Sequence, residues 1–209
     1  DTDHFIANFA KQHDGKSFSS RQFIRLLGKE ISDKGNSNSI IASAYRNNVP
    51  IFIPALCDSS IGIGLTIARR NGININIDQI KDVDEITRMV EASDKTGVIY
   101  VGGGVPKNFI QQTEVVASIM GHDVAGHEYA IQFTADSPHW GGLSGCTFDE
   151  AVSWGKIAKE AKKVQVFVDA TIALPIVSHA LHEKTDTQKR NVPCFEWTES
   201  GIDLHFETV

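Results

Sequence analysis

With 209 residues, 41% of them apolar, the chain is long enough for one sizeable α/β core, and nothing in it requires a second domain, so residues 1–209 are expected to form one. A net charge of −6 argues against a nucleic-acid binder with its basic stripe and mildly favours cationic partners, and no run of about 18 apolar residues is present to span a bilayer. The three cysteines, Cys57, Cys146 and Cys194, are widely spaced without a C-x-x-C pair, and residues 1–5 do not read as a signal peptide; the expected setting is reduced and cytoplasmic, with no disulfide framework or zinc knuckle.

Residues 3–13 and 20–32 place apolar side chains at helical spacing, the second set behind Ser19 and Ser20, and predict two amphipathic helices. A polar break over residues 35–38 precedes a short helix over residues 40–45 that ends near Asn47 and Asn48. Residues 49–52 read as a strand closed by Pro54, with a helix from Ser59 or Ser60 to Arg70. Asp58 then falls in the turn after a strand, where open α/β sheets bind ligands, or serves as the N-cap of that helix. Gly62-Ile63-Gly64 lacks a third glycine and lies inside the helix, so it is a weak dinucleotide signal.

Residues 73–77 alternate isoleucine and asparagine as a half-buried strand does, and a long helix follows from Asp78 to Ala92. The apolar strand over residues 97–101 runs into Gly102-Gly103-Gly104, and a helix starts at about Pro106. Glycines there let the backbone approach a ligand, and free N–H groups at a helix start favour an anion such as a pyrophosphate; a simple tight turn is the alternative. Residues 128–133 form a further strand, and residues 134–146 a loop carrying Pro138, His139, Trp140, Gly141 and Gly142.

Thr147 suits an N-cap, with Asp149 and Glu150 in the first turn of a helix whose face continues through Trp154, Ile157, Ala158 and Ala161. Lys156 falls nearer the line of Asp149, Ser153 and Glu160. A lysine in a partly enclosed pocket loses hydration, its pKa falls, and the neutral amine attacks a carbonyl or imine; an indole and a carboxylate beside it suit a cationic amine such as a polyamine. A surface helix with a buried Trp and a solvated Lys accounts for the same residues. Residues 164–168 form the last core strand, with Asp169 at its end and a helix over residues 171–182 behind it. The polar tail after Glu183 ends in edge strands over residues 192–195 and 202–209.

Neither His122 and His127 nor His179 and His182 have the i, i+4 spacing of a zinc helix, so no metal is expected and these histidines read as exposed or capping. No G-x-S-x-G elbow supports a hydrolase. Four to six strands alternating with helices point to a doubly wound, mainly parallel Rossmann-like α/β sheet with helices on both faces.

Residues 150–157, Glu-Ala-Val-Ser-Trp-Gly-Lys-Ile, resemble the active-lysine segment of the deoxyhypusine synthase family. Residues 49–58, 102–107, 129–135 and 166–170 agree with the family in the same order, so the resemblance covers roughly residues 20–185. It implies an NAD-dependent, Rossmann-like enzyme that oxidises spermidine, passes the aminobutyl group through a lysine imine and reduces the product with the NADH just formed. The acceptor is a protein lysine, as on a translation factor, or a small diamine, giving homospermidine. Carried onto this sequence, Lys156 forms the imine, Glu150, Trp154, Asn108 and His139 contact the polyamine, and Asp58, Gly102, Gly103, Gly104, Thr134, Ala135, Ser144, Asp169 and Ala170 line the NAD site. A homotetramer with active sites between subunits is implied as well.

Where eukaryotic members carry an acidic residue or a histidine, this chain has Ile63 and Asn108, and their acidic loop residues are replaced by residues such as His139 and Leu143. Each lost charge-assisted contact weakens the hold on a tri-cation by about 1.5–3 kcal/mol. The segment over residues 137–145 is more similar to the deoxyhypusine synthase-like branch. The family's N-terminal part, with its own Gly-rich NAD contact, has no counterpart here, so the expectation is a truncated or processed chain whose cofactor site is incomplete. A non-catalytic or regulatory subunit of such an enzyme is the alternative reading.

Overall fold

In the computed structural model, which describes residues 2–35, 38–185, 189–198 and 201–208, the first apolar stripe forms α1 (Thr2–Lys11). Asn36 and Ser37 of the expected polar break and Val209 of the expected last strand lie outside the described residues. The chain divides into two compact units, residues 1–84 and 85–209.

In the first unit α1 is followed by β1 (Ser17–Phe18), α2 (Ser20–Asp33), α3 (Ile40–Arg46), α4 (Ser60–Arg70), β2 (Asn76–Ile77) and the start of α5 (Gln79–Glu91). A capping box opens α2: Ser19 Oγ accepts from the Gln22 N–H at 3.2 Å, and Gln22 Oε1 accepts from the Ser19 N–H at 3.0 Å. The buried Asp82 carboxylate from α5 accepts two more N–H groups of the same helix start, Ser20 at 3.0 Å and Arg21 at 3.2 Å. Phe23, Ile24 and Leu27 pack on Ile6 and Phe9, with the Phe9 and Phe23 rings edge to face at 5.5 Å. A Cβ at Gly64 would meet Ile6, so that glycine lets α4 lie directly on α1.

Two expected strands change here. Residues 49–53 run unpaired: Pro50 has no N–H to give a ladder, and side chains take up the neighbouring backbone groups. Ser20 Oγ accepts from the Ile53 N–H at 2.8 Å, and Gln79 Nε2 donates to the Ile53 and Pro54 carbonyls at 3.4 and 3.2 Å. Of residues 73–77 only Asn76 and Ile77 pair, because their parallel partner β1 is two residues long.

The second unit holds a three-stranded parallel sheet of β3 (Gly97–Val101), β4 (His127–Thr134) and β5 (Ile157–Phe167), in that order. Between them lie α6 (Val105–Ile119), α7 (Gly142–Gly145) and α8 (Phe148–Ser153); α9 (Ala170–Thr185) and a hairpin of β6 (Asn191–Trp197) and β7 (Ile202–Thr208) follow. Val98, Tyr100 and Ala130 on one sheet face pack with Phe148, Ala151 and Ile157. On the opposite face Ile99, Tyr129 and Val164 are 67%, 50% and 50% exposed. The fold is therefore mixed α/β with small, separate sheets. The expected doubly wound sheet with helices on both faces is corrected: among the described residues the strands fall into three sheets, and much of one face of the largest is bare.

The helix expected to run on through Ile157, Ala158 and Ala161 is also corrected. α8 ends at Ser153, because Gly155 adopts φ +71° and turns the chain into β5. Gly155 N–H donates to the Val152 carbonyl and Lys156 N–H to the Ala151 carbonyl, both at 3.0 Å, which is a Schellman motif. No helix among the described residues is long and apolar enough to cross a membrane.

Candidate active site

The Schellman cap sets Lys156 at the junction of α8 and β5, and its carbonyl accepts from the His127 N–H at the start of β4 at 3.2 Å. Its side chain runs to the first turn of α6, where Nζ donates to Asn108 Oδ1 at 3.0 Å and lies 5.9 Å from the centre of the Trp154 ring. These groups line a cleft of about 420 Å³ together with Gln111, Glu150, Cys146 and the segment containing Pro138, Gly141 and Leu143. Trp154, expected to be buried if the helix were only structural, is 66% exposed at the cleft, so its ring is open to a ligand. The arrangement offers an amine bonded to a neutral amide, an indole face and the Glu150 carboxylate in one recess, a set suited to holding a cationic amine beside a nucleophile.

Beneath the cleft runs a polar network that no spacing pattern announced. Lys107, 3% exposed, donates from Nζ to Gln132 Oε1 at 3.0 Å and to the Cys146 carbonyl at 2.7 Å, and lies over the Tyr100 and Phe148 rings. Burial pushes its pKa down. Gln132 also accepts from Gln165 Nε2 at 2.7 Å and donates to the carbonyls of Gly102 and Ser144 at 2.9 and 3.1 Å. One buried amide thus ties the glycine turn to the loop that borders the cleft. The Cys146 thiol is pushed up by burial and then by its hydrogen bond with Glu150.

His127, expected to be exposed or capping, is instead buried: its Nδ1 lies 3.0 Å from Glu114 Oε1 and 2.7 Å from Thr96 Oγ1, and Thr96 donates to Glu114 at 2.8 Å. This triad braces the strand whose backbone holds the Lys156 carbonyl. His139 is exposed in a 3-10 turn (Pro138–Trp140) and is not among the residues lining the cleft.

The residues expected at NAD in the second unit gather at the C-terminal ends of the parallel strands: Gly102 to Gly104 after β3, Thr134 and Ala135 at the end of β4, and Asp169 and Ala170 after β5. Gly102 and Gly104 have φ of +76° and +73° with open space where a Cβ would stand, and Gly104 precedes α6 without a side-chain cap. A Cβ at Gly103 would overlap Ser144. Open glycine backbone and uncapped N–H groups at a 15-residue helix fit a diphosphate. Thr134 Oγ1 accepts from the Asp136 N–H at 3.1 Å. Asp169 Oδ1 accepts from Thr171 Oγ1 and N–H at 2.6 and 2.9 Å, bonds that hold its carboxyl below the usual range. In the first unit, Asp58 is exposed in a 3-10 turn, and Ser59, not Asp58, caps α4.

Comparison with known proteins bears on this site. Residues 1–181 match the deoxyhypusine synthase family. A protein of Methanosarcina mazei described as probable deoxyhypusine synthase 2 is 72% identical over 206 residues, 98% of this chain and 60% of the relative. A protein of Archaeoglobus fulgidus with the same description is 57% identical over 179 residues, 86% of this chain and 58% of the relative. A deoxyhypusine synthase-like protein of Chlorobaculum parvum is 41% identical over 192 residues, 90% of this chain and 55% of the relative. The chain spans 55–60% of the length of these relatives.

Proposed function

The chain belongs to the deoxyhypusine synthase family, and from that premise we propose that it transfers an aminobutyl group from a spermidine-like polyamine, through an imine on Lys156, to a protein lysine such as that of a translation factor. The observation that carries this reading is the placement of Lys156, with Nζ on Asn108 and the exposed Trp154 ring beside it in the cleft. Trp154 offers its face to the donor's ammonium groups, and Glu150 supplies a carboxylate to orient an amine. Asn108 aims the lysine by accepting a hydrogen bond from its Nζ. Bound NAD would accept the hydride that creates the donor imine and return it at the end. Gly102 to Gly104 and the start of α6 would hold its diphosphate, with Thr134, Ala135, Ser144, Asp169 and Ala170 around it, while Asp58 is assigned to the cofactor by resemblance alone. Identity of 72% to a probable deoxyhypusine synthase, against 41% to a deoxyhypusine synthase-like protein, favours a protein lysine over a small diamine as acceptor. The protein is proposed to work as a homotetramer in the cytoplasm.

A second reading, a non-catalytic or regulatory subunit, draws on one observation: Asn108 and Leu143 line the cleft where eukaryotic members carry a histidine and acidic residues. Borohydride trapping separates the two. With NAD and spermidine, the protein expressed from its whole gene should gain an aminobutyl mass on the peptide containing Lys156, and Lys156→Arg should abolish the adduct while leaving NAD binding in place. An adduct that forms only after a partner chain is added would favour the subunit reading, and none under any condition would sink the imine mechanism.

A further inference from the structure

The β6–β7 hairpin lies beyond residues 1–181, the family match, and its two faces differ in chemistry. The antiparallel register pairs Cys194 with His205, Val192 with Glu207 and Glu196 with Asp203. Because side chains alternate across a strand, these six residues share one face, while Phe195, Trp197, Ile202 and Leu204 share the other and are half-buried. The first face carries Cys194, His205 and three carboxylates, with no lysine or arginine among its paired residues.

Cys194 and His205 are direct cross-strand neighbours, and Glu207 is diagonal to Cys194, a spacing that lets three side chains meet at one point. Their donor atoms, one thiol sulfur, one imidazole nitrogen and one carboxylate oxygen, all lie within 4.8 Å of one another, with His205 Nε2 3.6 Å from Glu207 Oε1. Around a tetrahedral ion with bonds of about 2.0–2.3 Å, donors stand roughly 3.5 Å apart, so small side-chain rotations complete the site. Two further features point to a cation. Glu196 and Asp203 face each other directly, a like-charge pair that destabilises a sheet unless positive charge lies nearby. Among the described residues the hairpin also pairs with no third strand, and two-stranded hairpins are marginal in water without a further constraint.

We propose that Cys194, His205 and Glu207 bind a zinc-class divalent cation that clamps β6 to β7. A thiolate, an imidazole and a carboxylate suit a borderline ion such as Zn²⁺ or Co²⁺ rather than Mg²⁺ or Ca²⁺, which prefer all-oxygen shells. Three protein donors leave a fourth position for water or another ligand. On binding, the sulfur–hydrogen bond of Cys194 gives way to a sulfur–metal bond, and the proton passes to solvent.

Co²⁺ is the probe, since a thiolate on cobalt absorbs in the near ultraviolet. Titrated into the whole reduced chain, Co²⁺ should bring up that band to saturation at one ion per chain, and Zn²⁺ should bleach it. Cys194→Ser should remove the band, and Glu207→Gln and His205→Ala should each weaken binding about tenfold or more. Circular dichroism of each metal-free variant should match the parent; His205 and Glu207 are exposed, so their variants remain informative if Cys194→Ser does not fold. Absence of the band, its persistence in Cys194→Ser, or unchanged affinity in both other variants would each overturn the site.

Discussion

In residues 1–84 the buried Ser19, Ser20 and Asp82 all act at the start of α2: they take up its free N–H groups or hold the chain beside it. In residues 85–209 the buried Lys107 and Gln132 hold the carbonyls of Gly102, Ser144 and Cys146, which ties the glycine turn after β3 to the C-terminal end of the short α7 beside the cleft. Both regions obey the rule that a buried polar group must be paired, but the first uses it to fix an element and the second to fix the shape of a site. A capping group can be lost with little effect elsewhere. A network that pins loops cannot.

The sharpest way to break this contrast is Gln132→Leu, which removes four hydrogen bonds, leaves the Lys107 ammonium with one fewer acceptor, and should cost about 3 kcal/mol. Trp140, Trp154 and Trp197, the three tryptophans, all lie in residues 85–209, so urea unfolding followed by tryptophan emission reads that unit directly. An unchanged midpoint would mean the network does not hold the cleft. Next in size, Asp82→Ala should cost about 2 kcal/mol and speed amide hydrogen exchange at Ser20 and Arg21, with tryptophan emission of the native state unaltered. A shifted emission would show that this carboxylate does more than cap.

Gly103→Ala tests the glycine turn from the other side. Its Cβ would overlap Ser144 and displace the α7 segment, at a cost of about 1.5 kcal/mol, and NAD titrated by calorimetry should bind more weakly. Full affinity in the variant would detach NAD from this turn. The smallest effect concerns Cys146. Burial and Glu150 raise its pKa, so at neutral pH less of it is thiolate, and it should alkylate more slowly than the exposed Cys57 and gain rate only at higher pH. Glu150→Gln removes one raising cause and should speed alkylation at fixed pH; a slower or equal rate would count against the Glu150 contact.

Local signals along the chain specify structure where one element suffices to express them. Ser19 and Ser20 precede the apolar stripe of α2, residues 97–101 are an apolar run that forms β3, and the glycines after them open a helix that does begin at Val105. The family resemblance likewise rests on contiguous runs, and the comparisons agree with it. Gly155 was legible too as a helix stop, but Ile157, Ala158 and Ala161 continue a helical period and masked it.

That those residues and the charged run behind them form β5 depends on a partner: β4 offers its edge to Ile157–Phe167, and ladder bonds to a neighbour outweigh weak local preference. The same holds for the site. Gly102 and Lys107, Gln132, Ser144 and Cys146, and Gln165 converge from four separate stretches of the chain, so no spacing carries their association. Helix caps and turns are settled by forces acting over a few residues and leave a written pattern. Strand pairing and the pairing of buried polar groups are settled by which chain segments meet, because an unpaired donor or acceptor in the interior costs more than any local propensity supplies.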